Sequence, residues 1–300
     1  MFSHHWKRFI RISLSLWIAL GLSACASFLG PEPTVTPQAT STPEPPTATP
    51  EPMALTVNGE GIRLVEFDEE VARYISAQEA LEKTVSSTDA TSAVIDDLVV
   101  QLLLAQAARA NGFTLDEAAL QARTDSLAVQ AGGADALSKW QSDHGYTEQS
   151  FRSALKRAAE AAWMRDKIVM ALPSTAEQVH IQQILLYNEG TAQSFLAQLS
   201  GGADFDELAL EADPLTRGDL GWVPRGYLLN AKIEEAAFDL TVGERSDVIA
   251  TDVGFHIIRI LARDPERPLS PDAYLVLQEL ALNKWIEEQR RQAAIVLAPQ

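Results

Sequence analysis

The segment Val179-His-Ile-Gln-Gln-Ile-Leu-Leu186 is an apolar run of strand-like length, and it opens the region that decides the fold. The region ends with a second such run in Thr251-Asp-Val-Gly-Phe-His-Ile-Ile258. Between the two lie Gly218-Asp-Leu-Gly-Trp222, Pro224-Arg-Gly226, Ala236-Ala-Phe-Asp-Leu240 and Val242-Gly-Glu-Arg-Ser246. We predict strands at 179–186, 220–223, 248–251 and 254–261, and helices at 191–199, 204–212 and 232–238. Few strands with clustered helices indicate a small α+β domain.

In order and spacing, these motifs resemble a parvulin-type peptidyl-prolyl isomerase domain, for which we expect the bounds 175–264. The resemblance implies that His256 is one of the family's paired active-site histidines and that Asp213 sits near the reacting amide. Gln183 occupies the position of the other histidine. The resemblance assigns substrate-binding roles to Leu220, to Leu228 or Leu229, to Ile233 and to Thr251. Without the surrounding motif, His256 would be interpreted as a core histidine in an apolar strand.

The segment departs from the family pattern at several positions. Gln183 can donate and accept hydrogen bonds but does not titrate. His180 lies three residues earlier, and an odd offset along a strand puts it on the opposite face unless a bulge shifts the register. Ile233 replaces an aromatic wall. These departures predict peptidyl-prolyl isomerase activity that is present but reduced.

The N-terminus has the features of an export signal. Three basic residues precede an apolar run at 12–24, which is too short to span a bilayer comfortably. The run ends in Leu22-Ser-Ala-Cys25, which resembles the lipobox of bacterial lipoproteins. We expect a signal peptide at 1–24 and a lipidated Cys25, followed by a Pro/Thr-rich linker to residue 53. An ordinary signal peptide and an uncleaved anchor are the alternatives.

Residues 54–174 are predicted to be a mainly helical domain. Asn58-Gly59 predicts a turn after a short strand, and Ile62, Val65 and Phe67 are expected to begin an apolar helical stripe. A second helix is expected to end near Gly112. Thr114 and Glu117 predict a capping box for the next one.

Together with a predicted helix at 269–296, this pattern resembles SurA- and PrsA-type secretion chaperones. In that family the terminal helix packs on the N-terminal helices, which implies that the isomerase is an insertion in one helical domain. The helices are expected to form a cradle for extended client segments. The alternative is that every stripe residue is simply core.

Composition excludes several classes of function. The formal net charge of −17 makes nucleic acid an unfavourable partner. Cys25 is the only cysteine, which excludes an intrachain disulfide, and the histidines stand at no ligand spacing, so we expect no metal or other cofactor.

The sequence therefore predicts an extracytoplasmic, membrane-anchored isomerase and foldase. Its partners would be unfolded or nascent exported chains with X-Pro bonds. The alternative is a holdase that binds such segments without turning them.

Overall fold

The computed structural model describes residues 51–298. The predicted signal peptide at 1–24, the lipidated Cys25 and the linker up to residue 50 lie outside the described residues. Described residues all belong to one unit of the chain.

A β-hairpin opens the described chain, with β1 at Met53–Val57 and β2 at Glu60–Arg63. Asn58 and Gly59 have φ values of 52° and 85°, as the two central residues of a type I′ turn require, and the predicted turn is confirmed. Ile62, expected in a helical stripe, lies in β2, and Val65 is 68% exposed. The stripe prediction was wrong there because the hairpin's second strand uses the residues before the helix.

Five helices follow: α1 (Leu64–Ala80), α2 (Ser87–Ala110), α3 (Glu117–Ala131), α4 (Ala134–Asp143) and α5 (Glu148–Met170). Gly112 follows the end of α2 with a φ of 86°, as predicted. The predicted capping box at Thr114 is wrong, because Asp116 caps α3 by accepting from the N–H of Ala119 at 2.8 Å. Leu115 is buried, and the residue after it, Asp116, is the N-cap of α3.

Helix α2 is the centre of this region. It is long and apolar enough to pass as a membrane span by length and composition. In the structure its buried residues pack against the hairpin, α1 and α5, as expected of a core helix. The interior also holds charge, since Arg157 donates to Glu66 at 2.8 Å and both side chains are 8% exposed.

The inserted domain contains β3 (Thr175–Leu186), α6 (Glu189–Ser200), α7 (Phe205–Ala212), β4 (Asp219–Pro224), α8 (Ala231–Asp239), β5 (Ile249–Ala250) and β6 (Phe255–Pro268). The strands form one antiparallel sheet in the order β4-β3-β6-β5. Ile184 and Ile257 pack under α6 and α7, whereas Ile181 and Ile258 pack under α8. Every strand and helix predicted here is present; β6 extends seven residues beyond its expected end at 261, β3 begins four residues before its expected start at 179, and the other bounds agree within two residues.

The chain then returns to the helical domain. Helix α9 (Pro271–Gln292) is capped by Ser270, and Leu282 and Trp285 pack with α2 and α5. Strand β7 (Ile295–Leu297) pairs with β1. The expected helix at 269–296 therefore ends earlier than predicted, because the β-branched run after it completes the hairpin sheet. An α+β domain is thus inserted in a mainly helical one, as the sequence predicted.

Candidate active site

Three side chains from separate strands and loops meet on the α8 face of the inserted sheet. His256 on β6 places Nδ1 3.0 Å from Gln183 Oε1 on β3. Its Nε2 lies 3.0 Å from Thr251 Oγ1, in the tight loop between β5 and β6. Leu185 is the residue directly opposite His256 in the β3–β6 ladder, so Gln183 is its diagonal neighbour on the same face. The fold thus links Gln183, His256 and Thr251 in one hydrogen-bonded row.

The proton positions in this row follow from its acceptors. A carbonyl oxygen at Gln183 requires His256 to donate from Nδ1, so in a neutral ring Nε2 is an acceptor. The single hydroxyl proton of Thr251 then has two acceptors, His256 Nε2 at 3.0 Å and the carbonyl of Gly254 at 3.1 Å. Burial lowers the pKa of His256 below its ordinary value, which keeps the ring neutral. Among the described residues the amide N–H groups of Gln183 have no hydrogen-bond partner, so they remain available as donors.

The middle of the row is sealed, and both of its ends, Gln183 and Thr251, are half-buried. His256 is 3% exposed, whereas Gln183 is half-buried and lines a cavity of about 270 Å³. The cavity is lined by Gln183, Leu185, Tyr187, Ala212, Asp213 and Gly218. The histidine that the sequence singled out therefore lies behind the glutamine that replaced its partner.

Asp213 lies across this cavity, at the end of α7. Its Oδ1 accepts from the N–H groups of Leu215 and Thr216 at 3.0 and 3.2 Å, and Oδ2 accepts from the Thr216 hydroxyl. The hydroxyl contact, followed by these backbone N–H groups, lowers the pKa of the Asp213 carboxyl below its ordinary value. Asp213 is thus an ionised carboxylate that also shapes its own loop.

Two contacts fix that loop beside Gln183. The backbone N–H of Gln183 donates to the carbonyl of Gly218 at 2.8 Å. On the other face of the sheet, Gln182 donates to the carbonyl of Arg217 at 2.9 Å. A Cβ at Gly218 would lie 1.7 Å from the carbonyl oxygen of Gln183, so this approach is open only to glycine.

His180 takes no part in this site. It lies 2.8 Å from Asp219 Oδ1 and stacks on Trp222 with 5.4 Å between ring centroids. Register shifts occur on either side of Ile181, yet Gln183, not His180, meets His256.

The residues predicted to form an apolar pocket differ in burial. Ile233 is buried under the sheet, and Leu228 packs partly against the same cluster. Leu229 is completely exposed, and Leu220 on β4 is 36% exposed. The structure therefore brings Leu228 and Ile233 together and leaves Leu229 in solvent.

Four residues of the cavity were not predicted as site residues: Leu185, Tyr187, Ala212 and Gly218. Tyr187 is 81% exposed directly after β3. An aromatic residue at the end of a predicted strand, next to the Asn188 helix cap, was the available signal.

Comparisons with known proteins agree with this architecture. Residues 168–262 match the family described as Rotamase: PPIC-type PPIASE domain. The foldase protein PrsA of Geobacillus kaustophilus is 36% identical over 112 residues, which cover 36% of this chain and 40% of that protein. The chaperone SurA of Ralstonia nicotianae is 25% identical over 211 residues, covering 58% of this chain and 42% of that one.

A crystal structure of the peptidylprolyl isomerase PrsA from Bacillus cereus shares 18% identity and covers 77% of this chain and 83% of that one, with a TM-score of 0.43. Matches to the first curated relatives span 35–40% of those relatives' length. Residues 168–262 are thus similar to parvulin-type, PPIC-type peptidyl-prolyl isomerase domains, and the chain as a whole is similar to PrsA foldases and SurA chaperones.

Proposed function

We propose that this protein is an extracytoplasmic peptidyl-prolyl isomerase and foldase that acts on unfolded exported chains. The observation that carries the proposal is the row Gln183–His256–Thr251, which ends at a cavity shared with Asp213. The relatives named foldase protein PrsA and chaperone SurA support the choice of unfolded protein as substrate.

Turning a prolyl bond requires no proton transfer and no covalent intermediate. Resonance in the amide sets a barrier of about 18–20 kcal/mol. An enzyme lowers it by favouring the twisted amide over both planar forms, and about 5 kcal/mol corresponds to a few thousandfold in rate. A hydrogen-bond donor beside the amide and an apolar slot for the proline ring are sufficient parts.

Each residue of the site then has a distinct role. The amide N–H groups of Gln183 donate to the substrate's prolyl amide. His256 and Thr251 hold the Gln183 side chain in position. Asp213 supplies a fixed negative charge at the cavity wall. Leu228 and Ile233, together with Leu220, provide the apolar side for the ring. We give Leu229 no role because its side chain is in solvent.

The second candidate function is a holdase that binds proline-containing segments without turning them. It is favoured by Gln183 in place of the family's histidine and by Ile233 in place of the family's aromatic residue. In both cases the substrate is an unfolded polypeptide, with no cofactor and no nucleic acid.

A proline-isomerisation assay on the full mature chain separates the two functions. We expect a rate above the uncatalysed one, and a loss of about fivefold in Gln183→Ala, since one hydrogen bond contributes about 1 kcal/mol. In His256→Ala the rate should fall by a similar factor, because the Gln183 side chain loses the hydrogen bond that holds it in position. His180→Ala is the matched control, since that histidine lies on the opposite face, and its rate should be unchanged.

A rate equal to the uncatalysed one, together with suppressed aggregation of a denatured client, would replace the isomerase by the holdase. Restoring the family's histidine in Gln183→His should then create activity.

We further propose that a lipid on Cys25 anchors the mature chain to the bacterial cell membrane, and that residues 25–53 act as a spacer. Acyl chains bind a membrane by burying their methylene groups. Cys25→Ser should release the protein from the membrane fraction, and mass spectrometry of the wild-type N-terminus should detect the acyl groups. Unchanged fractionation of Cys25→Ser would contradict the anchor.

A further inference from the structure

The cavity beside Gln183 carries charge of one sign. Of its six lining residues, only Asp213 has a charged side chain, and no lysine or arginine lines the cavity. In the described part of the chain, the groups that lower the pKa of Asp213 are the Thr216 hydroxyl and backbone N–H groups of the same loop. The carboxylate charge is therefore held in place without being neutralised by a cation.

The Asp213 carboxylate accepts four contacts, one of which is long and therefore weak. Oδ1 accepts two backbone N–H groups, whereas Oδ2 accepts the Thr216 hydroxyl and a long contact of 3.4 Å from the N–H of Gly218. A carboxylate has about four lone-pair sites. The four contacts occupy these sites, and the one from Gly218 is the longest, so an incoming N–H donor would displace it at Oδ2.

Tyr187 adds an aromatic ring to the same cavity. The connection from β3 to α6 consists of Tyr187 and Asn188, so it contains no basic residue. Leu185 and Ala212 give apolar surface between the ring and the carboxylate. A carboxylate and an aromatic face beside apolar surface are the groups that bind an ammonium or a guanidinium with an aliphatic stem.

The position of the cavity indicates which substrate residue would enter it. The carbonyl of a prolyl amide belongs to the residue that precedes the proline. Gln183 belongs both to the proposed hydrogen-bonding row and to the cavity wall. A substrate that places this amide at Gln183 therefore brings the preceding side chain nearest to Tyr187 and Asp213.

We propose that the site selects prolyl bonds preceded by arginine or lysine and disfavours those preceded by aspartate, glutamate or a phosphorylated residue. This inference rests on the proposed function, because it assumes that Gln183 contacts the prolyl amide. Exposed ion pairs are weak, so attraction and repulsion each change kcat/KM by about threefold. The ratio between arginine and glutamate substrates is then about tenfold at low salt.

The test uses one host peptide with Arg, Ala or Glu before the proline, and the full mature chain as the enzyme. We expect kcat/KM in the order Arg, Ala, Glu, with the tenfold ratio falling to about twofold at 1 M salt because screening weakens exposed charges. Binding of each peptide is measured in parallel by fluorescence anisotropy.

Four variants locate the preference. Asp213→Asn should bring the ratio of Arg to Glu substrates close to one, and Tyr187→Lys should invert it. Tyr187→Phe keeps the ring and should keep the preference. Asp219→Asn is the matched control, because that carboxylate pairs with His180 outside the cavity and should leave the ratio unchanged.

The outcomes separate the inference from the proposed function. Equal kcat/KM for the three peptides overturns the preference and leaves the isomerase intact. Absence of catalysis with tighter binding of the Arg peptide supports the preference and overturns the isomerase. Absence of both catalysis and selective binding overturns both the preference and the isomerase. If Asp219→Asn changes the ratio as much as Asp213→Asn does, the preference comes from the overall negative charge, and the proposed site is overturned.

Discussion

Two glycines, one in each region of the molecule, have the same positive φ for different reasons. Gly145 lies before α5 and Gly218 lies before β4, and both have a φ of 68°. A Cβ at Gly145 would meet nothing within 4 Å, whereas a Cβ at Gly218 would lie 1.7 Å from the carbonyl oxygen of Gln183. Local geometry favours glycine at the first position, and a neighbouring strand requires it at the second.

This difference extends to the whole of each region. The helical domain is built from caps and apolar stripes that act within a few residues of each other. In the inserted domain, Gly218 and Gly254 each approach the backbone of β3, and a Cβ at Gly254 would lie 2.7 Å from the carbonyl oxygen of Leu186. Close approaches between distant segments require a particular residue, such as glycine, at a particular position. The inserted domain therefore has recognisable motifs, whereas the helical domain shows only the spacing of apolar and capping residues.

The largest expected loss of stability comes from replacing the glycine that a neighbouring strand requires. Gly218→Ala should cost about 5 kcal/mol of unfolding free energy or prevent folding, because both the backbone conformation and the space are lost. Gly145→Ala should cost about 1 kcal/mol, since only the conformation is unfavourable. Urea denaturation of the full chain followed by circular dichroism measures both, and equal costs would contradict the comparison.

The helical domain has its own long-range constraint in the Arg157–Glu66 pair. Arg157→Met should cost about 3–4 kcal/mol of unfolding free energy, because it leaves Glu66 buried without its partner. Combining it with Glu66→Leu should recover most of the loss. The same denaturation experiment tests this, and a double variant as unstable as the single one would show that the pair itself stabilises the domain.

A third change concerns the contact between the two regions. A Cβ at Gly226, after β4, would lie 2.6 Å from Leu280 Cδ2 on α9, and φ there is 86°. Gly226→Ala should cost about 2 kcal/mol of unfolding free energy, but only about 1 kcal/mol in a Leu280→Ala background, where the backbone term remains. Additive costs in this double-mutant cycle would mean that the leucine moves aside freely.

The smallest expected effect is the pH dependence due to His256. Burial lowers its pKa in the folded state, while the unfolded chain has the ordinary value of about 6.5. As the pH falls below about 6.5, the unfolded state binds a proton that the folded state does not, so stability decreases until the folded pKa is reached. Above about 6.5 this group contributes no pH dependence.

His256→Gln serves as the reference, because an amide keeps both hydrogen-bonding functions without titrating. Carboxylates with a lowered pKa, such as Asp213, titrate at lower pH in both proteins and cancel in the difference. Identical slopes for the two proteins between pH 6.5 and 5 would show that His256 is accessible to protons in the folded state.

Sequence reasoning succeeded where one pattern had one structural solution. The runs at 179–186 and 254–261 had to be buried strands, and both lie at the centre of the sheet. It was wrong at Thr114, since Asp116 is an equally good cap and a buried Leu115 decides between them. It missed β7, whose strand character depends on β1, more than two hundred residues earlier in the chain.

For the site, the sequence by itself supplied the motifs whose resemblance to the parvulin pattern singles out His256, Asp213, Gln183 and Thr251. Tertiary structure alone decided that His256 is sealed behind Gln183, that Leu229 is in solvent and that Tyr187 shares a cavity with Asp213. The physical reason is that residue identity and spacing act along the chain, whereas exposure and the meeting of side chains depend on how strands, loops and helices distant in sequence pack together.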